Sequence, residues 1–249
     1  AFVMLGGMIT QVALTRLGLP LPIAAIIAIL LVAISGTVLE RVVVRPLWDR
    51  NATMFVMILA TLAAQIVVER ATLLAVGDQP RTLPVFTDLP PLKFGGVAVS
   101  LQLIWILVTS CLIVAGLAVF FQKTKTGKAM RACAIDREAA ALQGIPVKRM
   151  LALSFALSAG LGALAGVLIT PTQYTAFNVG VPFAISGFIA AIVGGFGKPS
   201  GAFLGGLLLG VVQAAAIAGF GSGLKNVAAL SMLLIFLFLR PGGIVGASK

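Results

Sequence analysis

The chain of 249 residues has no histidine, two cysteines, two tryptophans, one tyrosine and only seven carboxylates. Without histidine it lacks the usual proton shuttle at neutral pH and the commonest metal ligand. Two thiols alone cannot complete a tetrahedral zinc site. Cys111 lies in an apolar run and Cys133 in a basic loop, so the two are expected at different depths and not joined as a disulfide. Charge is scarce as well: 10% of residues are charged, against about 25% in a soluble domain. Apolar residues take its place, at 60% of the chain with a mean hydropathy of +1.13. A disordered chain and an ordinary soluble enzyme are both excluded. At about 20 residues per crossing, the length allows at most about eight or nine spans. The formal charge of +11 would suggest nucleic acid on a soluble protein. On a polytopic membrane protein it records topology and attraction to anionic lipid, so no nucleic-acid partner is expected.

Charges and prolines divide the apolar sequence into segments at 1–15, 20–39, 52–68, 99–121, 151–170, 183–193, 201–220 and 227–239. The expected fold is all-α and polytopic, with about eight transmembrane or half-membrane helices. Glu40 with Arg41, and Glu69 with Arg70, are expected to end two of the helices, and 183–193 and 227–239 are the short ones. Strands of a membrane barrel alternate apolar and polar residues, which these continuous runs do not. The chain starts with Ala-Phe-Val inside an apolar run and no basic leader. That is not a signal peptide, and a single transmembrane domain over 1–249 with a truncated N-terminus is expected.

Alternating the loops about the long basic one places 13 Lys and Arg inside and five outside, the bias expected of cytoplasmic loops. The outer loop 69–98 contains Pro80, Pro84, Pro90 and Pro91, and a short hairpin is expected about Gly95 and Gly96. The inner loop 122–150 predicts two short helices. One is 128–134, after Gly127 as a breaker. The other is capped by Asp136, runs through Leu142 and ends at Gly144. Ala139, Ala140 and Leu142 would form its smooth face.

Glu138, Ala139, Ala140 and Gly144 stand in the spacing Glu-Ala-Ala-x-x-x-Gly of the loop by which ABC importer permeases dock their ATPase. Four further motifs occur in order around it. Glu40 and Arg41 precede Arg45, Pro46 and Leu47; Thr126 to Ala132 includes Gly127, Lys128 and Arg131; Gly194, Gly195 and Gly197 precede Lys198, Pro199, Gly201 and Gly205; Arg240 and Pro241 precede Gly242, Gly243 and Ile244. Together they resemble the permeases of branched-chain amino acid ABC importers over essentially the whole chain. The resemblance implies a multi-pass protein of the bacterial inner membrane. It implies a related second permease as heterodimer partner, two ATPase subunits that hold ATP and Mg, and an extracytoplasmic binding protein. It also implies ATPase coupling through Arg131, Asp136, Glu138, Ala139, Ala140 and Gly144. No cofactor is expected in this chain.

Glu40, Arg41 and Arg45 can be interfacial charges that end a helix, with Pro46 as its stop, or a gate at the cytoplasmic face. Gly162 with Gly166, Gly201 with Gly205, and Gly206 with Gly210 have the spacing that lets helices approach closely. The cluster Gly194, Gly195 and Gly197 suggests a helix break. Gly127-Lys128 and Gly197-Lys198 are followed by Ala and Pro, not Ser or Thr, so there is no phosphate-binding loop. All seven carboxylates fall in loops or at span ends, unlike an ion-coupled carrier with an ionisable mid-membrane site. Thr61, Gln65, Ser158, Ser186 and Gln213 are neutral mid-span groups that could line a path for a small amphiphile. The N-terminus of the helix behind Pro182 could attract a carboxylate. The expected cargo is branched-chain or other hydrophobic amino acids, with urea, amides or aromatic acids as alternatives in the same class. A stand-alone channel or ion-coupled carrier is the rival from another class, and a membrane-embedded enzyme is third, with no nucleophile–base pair to support it.

Overall fold

The structure is a computed structural model. It describes residues 1–50, 52–87, 90, 92–94, 97–195, 197–240 and 242–245. The helices are α1 (Phe2–Arg16), α2 (Leu21–Leu39), a π turn (Glu40–Val44), α3 (Arg45–Asp49), α4 (Met54–Val76), α5 (Leu101–Lys123), α6 (Lys125–Ile135), α7 (Arg137–Leu142), α8 (Val147–Ile169), α9 (Gly180–Gly194), α10 (Pro199–Phe220), a 3-10 turn (Ser222–Leu224) and α11 (Lys225–Leu239). Between α4 and α5, β1 (Leu92–Phe94) pairs antiparallel with β2 (Val97–Val99), Phe94 opposite Val97. This is the expected hairpin; its turn residues Gly95 and Gly96 lie outside the described residues, as do Asp88, Phe196, Pro241 and Lys249.

Six of the described helices are long and apolar enough to cross a membrane. α1 and α9, at 15 residues each, span only about 22 Å at 1.5 Å per residue, short of a hydrocarbon core of about 30 Å. The short pair is therefore α1 and α9. The 227–239 segment is longer than expected, because the helical run begins at Ser222 and reaches 18 residues.

Charge does not end helices here. Glu40 and Arg41 lie within a continuous run from Leu21 to Asp49, and Pro46 does not stop it. The Arg45 N–H bonds to the Glu40 carbonyl, five residues back. That π turn shifts the ladder just ahead of Pro46, whose ring and missing N–H would disrupt a straight α-helix. Likewise α4 passes Glu69 and Arg70 and stops at Gly77, whose φ of +92° suits glycine. The Arg70 guanidinium lies 6.0 Å from the centre of the Phe177 ring, a partner for a long side chain near a span end. Gly127 is no breaker either: α6 begins at Lys125, and the Thr124 hydroxyl caps it by accepting from Gly127 N–H at 3.0 Å.

The chain forms two compact units, Ala1–Val108 with Phe121–Gly180, and Thr109–Phe120 with the described part of Val181–Lys249. In the first, α1, α2 and α8 pack on one another around Val32, Ala159 and Ala163. Their approach is set by small residues. A Cβ on Gly166 would collide with the Val3 carbonyl, one on Gly6 with the Ala163 backbone, and one on Gly36 would lie 2.5 Å from the Ala159 Cβ. The segment after α4 is also tied to this unit. Arg81 and Thr175 exchange backbone hydrogen bonds of 2.8 and 2.7 Å, and the Arg81 guanidinium donates to Gln11 Oε1 at 2.8 Å and Val76 O at 2.9 Å. Gln102 donates to the Leu168 carbonyl at 2.9 Å.

In the second unit α10 packs on α11, and the core joins Ile189, Ala190 and Val193 of α9 to Leu209, Ala229 and Met232. Gly205 meets the Ala190 carbonyl and Gly201 meets Gly194, so two of the three expected glycine pairs are close-approach sites. Gly206–Gly210 is not: Gly210 has nothing within 4 Å of where its Cβ would stand. Gly166→Leu should therefore destabilise the protein by about 3 kcal/mol or more through overpacking. Gly210→Ala should leave stability unchanged or raise it by about 0.5–1 kcal/mol. Thermal unfolding of both variants in detergent checks the contrast.

Candidate functional site

The 122–150 loop is built from two capped helices. α6 turns Gly127, Met130 and Cys133 inward, a stripe at helical spacing, and leaves Lys125, Lys128 and Arg131 exposed. α7 is fixed at both ends. Asp136 Oδ1 accepts from Glu138 N–H at 2.9 Å and Ala139 N–H at 3.1 Å, and Glu138 sits in the first turn, where the helix end favours a negative charge. At the other end Ile145 N–H reaches Ala140 O at 3.1 Å and Gly144 N–H reaches Ala141 O at 2.9 Å. This is the Schellman pattern, with Gly144 at φ +77°. The expected boundaries of α7 are met. The expected smooth face is not: in so short a helix Ala140 points inward, while Ala139 and Leu142 point out. Ile135 and Leu142 are each 88% exposed.

Four residues that are not among the sequence candidates join this region to α3. The Arg137 guanidinium stacks 4.4 Å from the Trp48 ring centre, and Lys148 Nζ lies 2.7 Å from Asp49 Oδ1. The Lys148–Asp49 pair is half-exposed and worth at most about 1 kcal/mol by itself. A cavity of about 170 Å³ opens beside Trp48, with Met130, Cys133, Arg137, Met150 and Ser154 in its lining. The one sequence signal for this link is the indole placed soon after Pro46, since tryptophans near a wet boundary seek a partner for each face.

Glu40 is the most unusual side chain. An interfacial charge would be exposed, whereas Glu40 is 0% exposed, and neither carboxylate oxygen has a hydrogen-bond partner among the described residues. Arg41 is exposed and Arg45 half-buried, and neither forms an ion pair with it among the described residues. An unpartnered buried carboxylate is costly, and π turns recur at functional positions.

The remaining candidates divide between the units. In the first, the Thr61 hydroxyl is bonded to Ile58 O at 2.9 Å in its own helix, Gln65 is half-buried and Ser158 exposed. In the second, Ser186 is half-buried, and Gln213 keeps a buried Nε2 without a partner. Pro182 falls inside the first turn of α9, which starts at Gly180.

The two late motifs come together in the second unit. α9 ends at Gly194, and Gly195 and Gly197 turn the chain at φ +101° and +90°. Ile244 N–H and Val245 N–H then bond to Val193 O at 2.9 Å and Gly194 O at 3.1 Å. The Arg240–Ile244 motif thus caps the end of α9, with Gly243 against the Gly195 backbone and Lys198 Nζ donating to Val245 O at 3.0 Å.

A chain with six membrane-capable helices and a capped, exposed loop helix between two of them has the form of a membrane transport subunit. The chain belongs to the family of permease components of branched-chain amino acid transport systems, whose profile matches residues 1–239. The high-affinity branched-chain amino acid permease BraD of Pseudomonas aeruginosa is 36% identical over 259 residues, covering 98% of this chain and 83% of that protein. LivH of Escherichia coli, of the same description, is 31% identical over 227 residues, 88% of this chain and 72% of that one. A probable LivH of Methanocaldococcus jannaschii is 29% identical over 215 residues, 81% and 67% of the two chains. No solved structure matches the chain. The protein is therefore a multi-pass inner-membrane permease subunit of an ABC importer, a transport component and not an enzyme. Subunits of this class work with ATPase and binding-protein partners.

Glu40→Met, which keeps side-chain length and removes the unpaired charge, should stabilise the isolated subunit by about 1–3 kcal/mol. A higher unfolding temperature in detergent is the expected result. A lower one would show that the carboxylate has a stabilising partner.

Proposed function

We propose that the subunit imports branched-chain or other hydrophobic amino acids handed over by an extracytoplasmic binding protein. A related second permease would complete the path. Two ATPase subunits, which bind ATP and Mg, would drive it from the cytoplasmic side. In this reading 122–150 is the cytoplasmic coupling loop, 69–98 faces the binding protein, and α7 docks into an ATPase.

The observation that carries the docking assignment is the form of α7. It is a six-residue helix locked by the Asp136 cap and the Gly144 turn, bounded by two bare apolar side chains, Ile135 and Leu142. A rigid knob of this kind suits a groove on another protein, and Glu138 and Arg131 lie exposed beside it. The names of the relatives support the cargo. Of the neutral groups Thr61, Gln65, Ser158, Ser186 and Gln213, Thr61 turns its hydroxyl onto its own helix; the other four suit a zwitterion with an apolar side chain, and the buried Gln213 amide, unpaired among the described residues, makes it the strongest. Glu40, Arg41, Arg45 and Pro46 would form the cytoplasmic-face motif, and Gly194, Gly195 and Gly197 the helix break.

The complete importer, purified and placed in proteoliposomes, tests this. Leu142→Arg or Glu138→Arg should lower ATPase co-purification and ATP-driven leucine uptake by roughly tenfold, as expected when a desolvated anchor of an interface is replaced. Unchanged association and uptake would refute the docking role. Uptake that persists without ATP under an ion gradient would point to a secondary carrier.

A further inference from the structure

α3 is five residues long and none of them is fully buried. Two side-chain contacts join it to the loop. Trp48 lies under the Arg137 guanidinium at the start of α7, and Asp49 pairs with Lys148 at the start of α8. α3 is thus fastened to both sides of the link between α7 and α8. That link contains Gly144 in the left-handed region and ends at Pro146; its amides bond back to α7, and the helical ladder does not run on from α7 into α8. Behind α3 the backbone is continuously helical to Leu21, interrupted only by the π turn around the unpartnered Glu40. α2 in turn packs against α1 and α8. The cavity beside Trp48 is lined in part by Met130 and Met150, unbranched side chains that repack readily, so the indole has room to move.

We propose that α3 is a second coupling strut of the importer, in which Trp48 and Asp49 are positioning residues that tie α7 and the start of α8 to the α2 rod. The proposal rests on α7 being the helix that docks the ATPase. Displacement of α7 then reaches the spans by two routes. One runs through the Gly144 link into α8. The other runs through Trp48 and Asp49 into the Leu21–Asp49 rod, with the π turn as its joint.

The test uses the complete importer with its binding protein in proteoliposomes and reads leucine transported per ATP hydrolysed. Trp48→Ala should lower that ratio by roughly fivefold, the low end of ordinary coupling between sites, while the ATPase still co-purifies. Trp48→Phe keeps an aromatic face beneath Arg137 and should restore most of the ratio. Asp49→Lys and Lys148→Asp, both half-exposed positions that leave packing intact, should each lower it, and the double charge swap should recover it. A wild-type ratio in Trp48→Ala and Asp49→Lys overturns the strut. So does a double swap no better than either single change. If the wild-type ATPase does not co-purify at all, the docking reading fails and the strut fails with it; co-purification with an unaltered ratio in the variants refutes the strut alone.

Discussion

Backbone lies against backbone where α8 meets α1 and α2, and the larger unit depends on that contact. Gly166 faces the Val3 carbonyl, Gly6 the Ala163 backbone, and Gly36 the Ala159 side chain and Phe155 carbonyl. Lipid tails are as apolar as leucine, so burial alone gives helices little reason to associate in a bilayer. Close van der Waals contact does, and it needs positions without a Cβ. The consequence for transport is mechanical. α8 is the span that follows the loop helices, and its glycine contacts keep it from sliding freely past its two neighbours.

The same lack of water governs the polar groups. Thr10, Ser35, Thr37, Thr61, Ser154 and Thr170 each turn the hydroxyl back onto a carbonyl of their own helix, at 2.6–3.1 Å. That closes their hydrogen bonding locally and leaves little to offer a passing solute. Glu40 and Gln213 break the rule, with buried polar atoms that have no hydrogen-bond partner among the described residues. In a chain so sparing with polarity, these are the places where folding and transport are most clearly in tension.

Local signals were legible in the sequence in some detail. Asp136 and Gly144 set both ends of α7, because a cap and a left-handed turn act within a few residues of themselves. After α9 ends at Gly194, Gly195 and Gly197 both adopt positive φ. At Glu40 and Glu69, where charge suggests a helix end, the helices continue. Charge sets where a helix leaves the apolar layer, whereas the backbone stops only where hydrogen bonding or φ requires it. The Gly206–Gly210 pair failed for a related reason, because spacing places glycines on one face without saying that another helix lies there.

The sequence by itself therefore determined the membrane class, the approximate spans, the form of the loop helix and the family, all of which follow from composition, local backbone chemistry and ordered motifs. Tertiary structure alone decided the rest. It buried Glu40 inside a π turn, set Trp48 beneath Arg137 and Asp49 against Lys148, and folded the Arg240–Ile244 motif over the end of α9. Each of these depends on residues distant in the chain meeting in space, and such meetings follow from how helices pack, which no local pattern encodes.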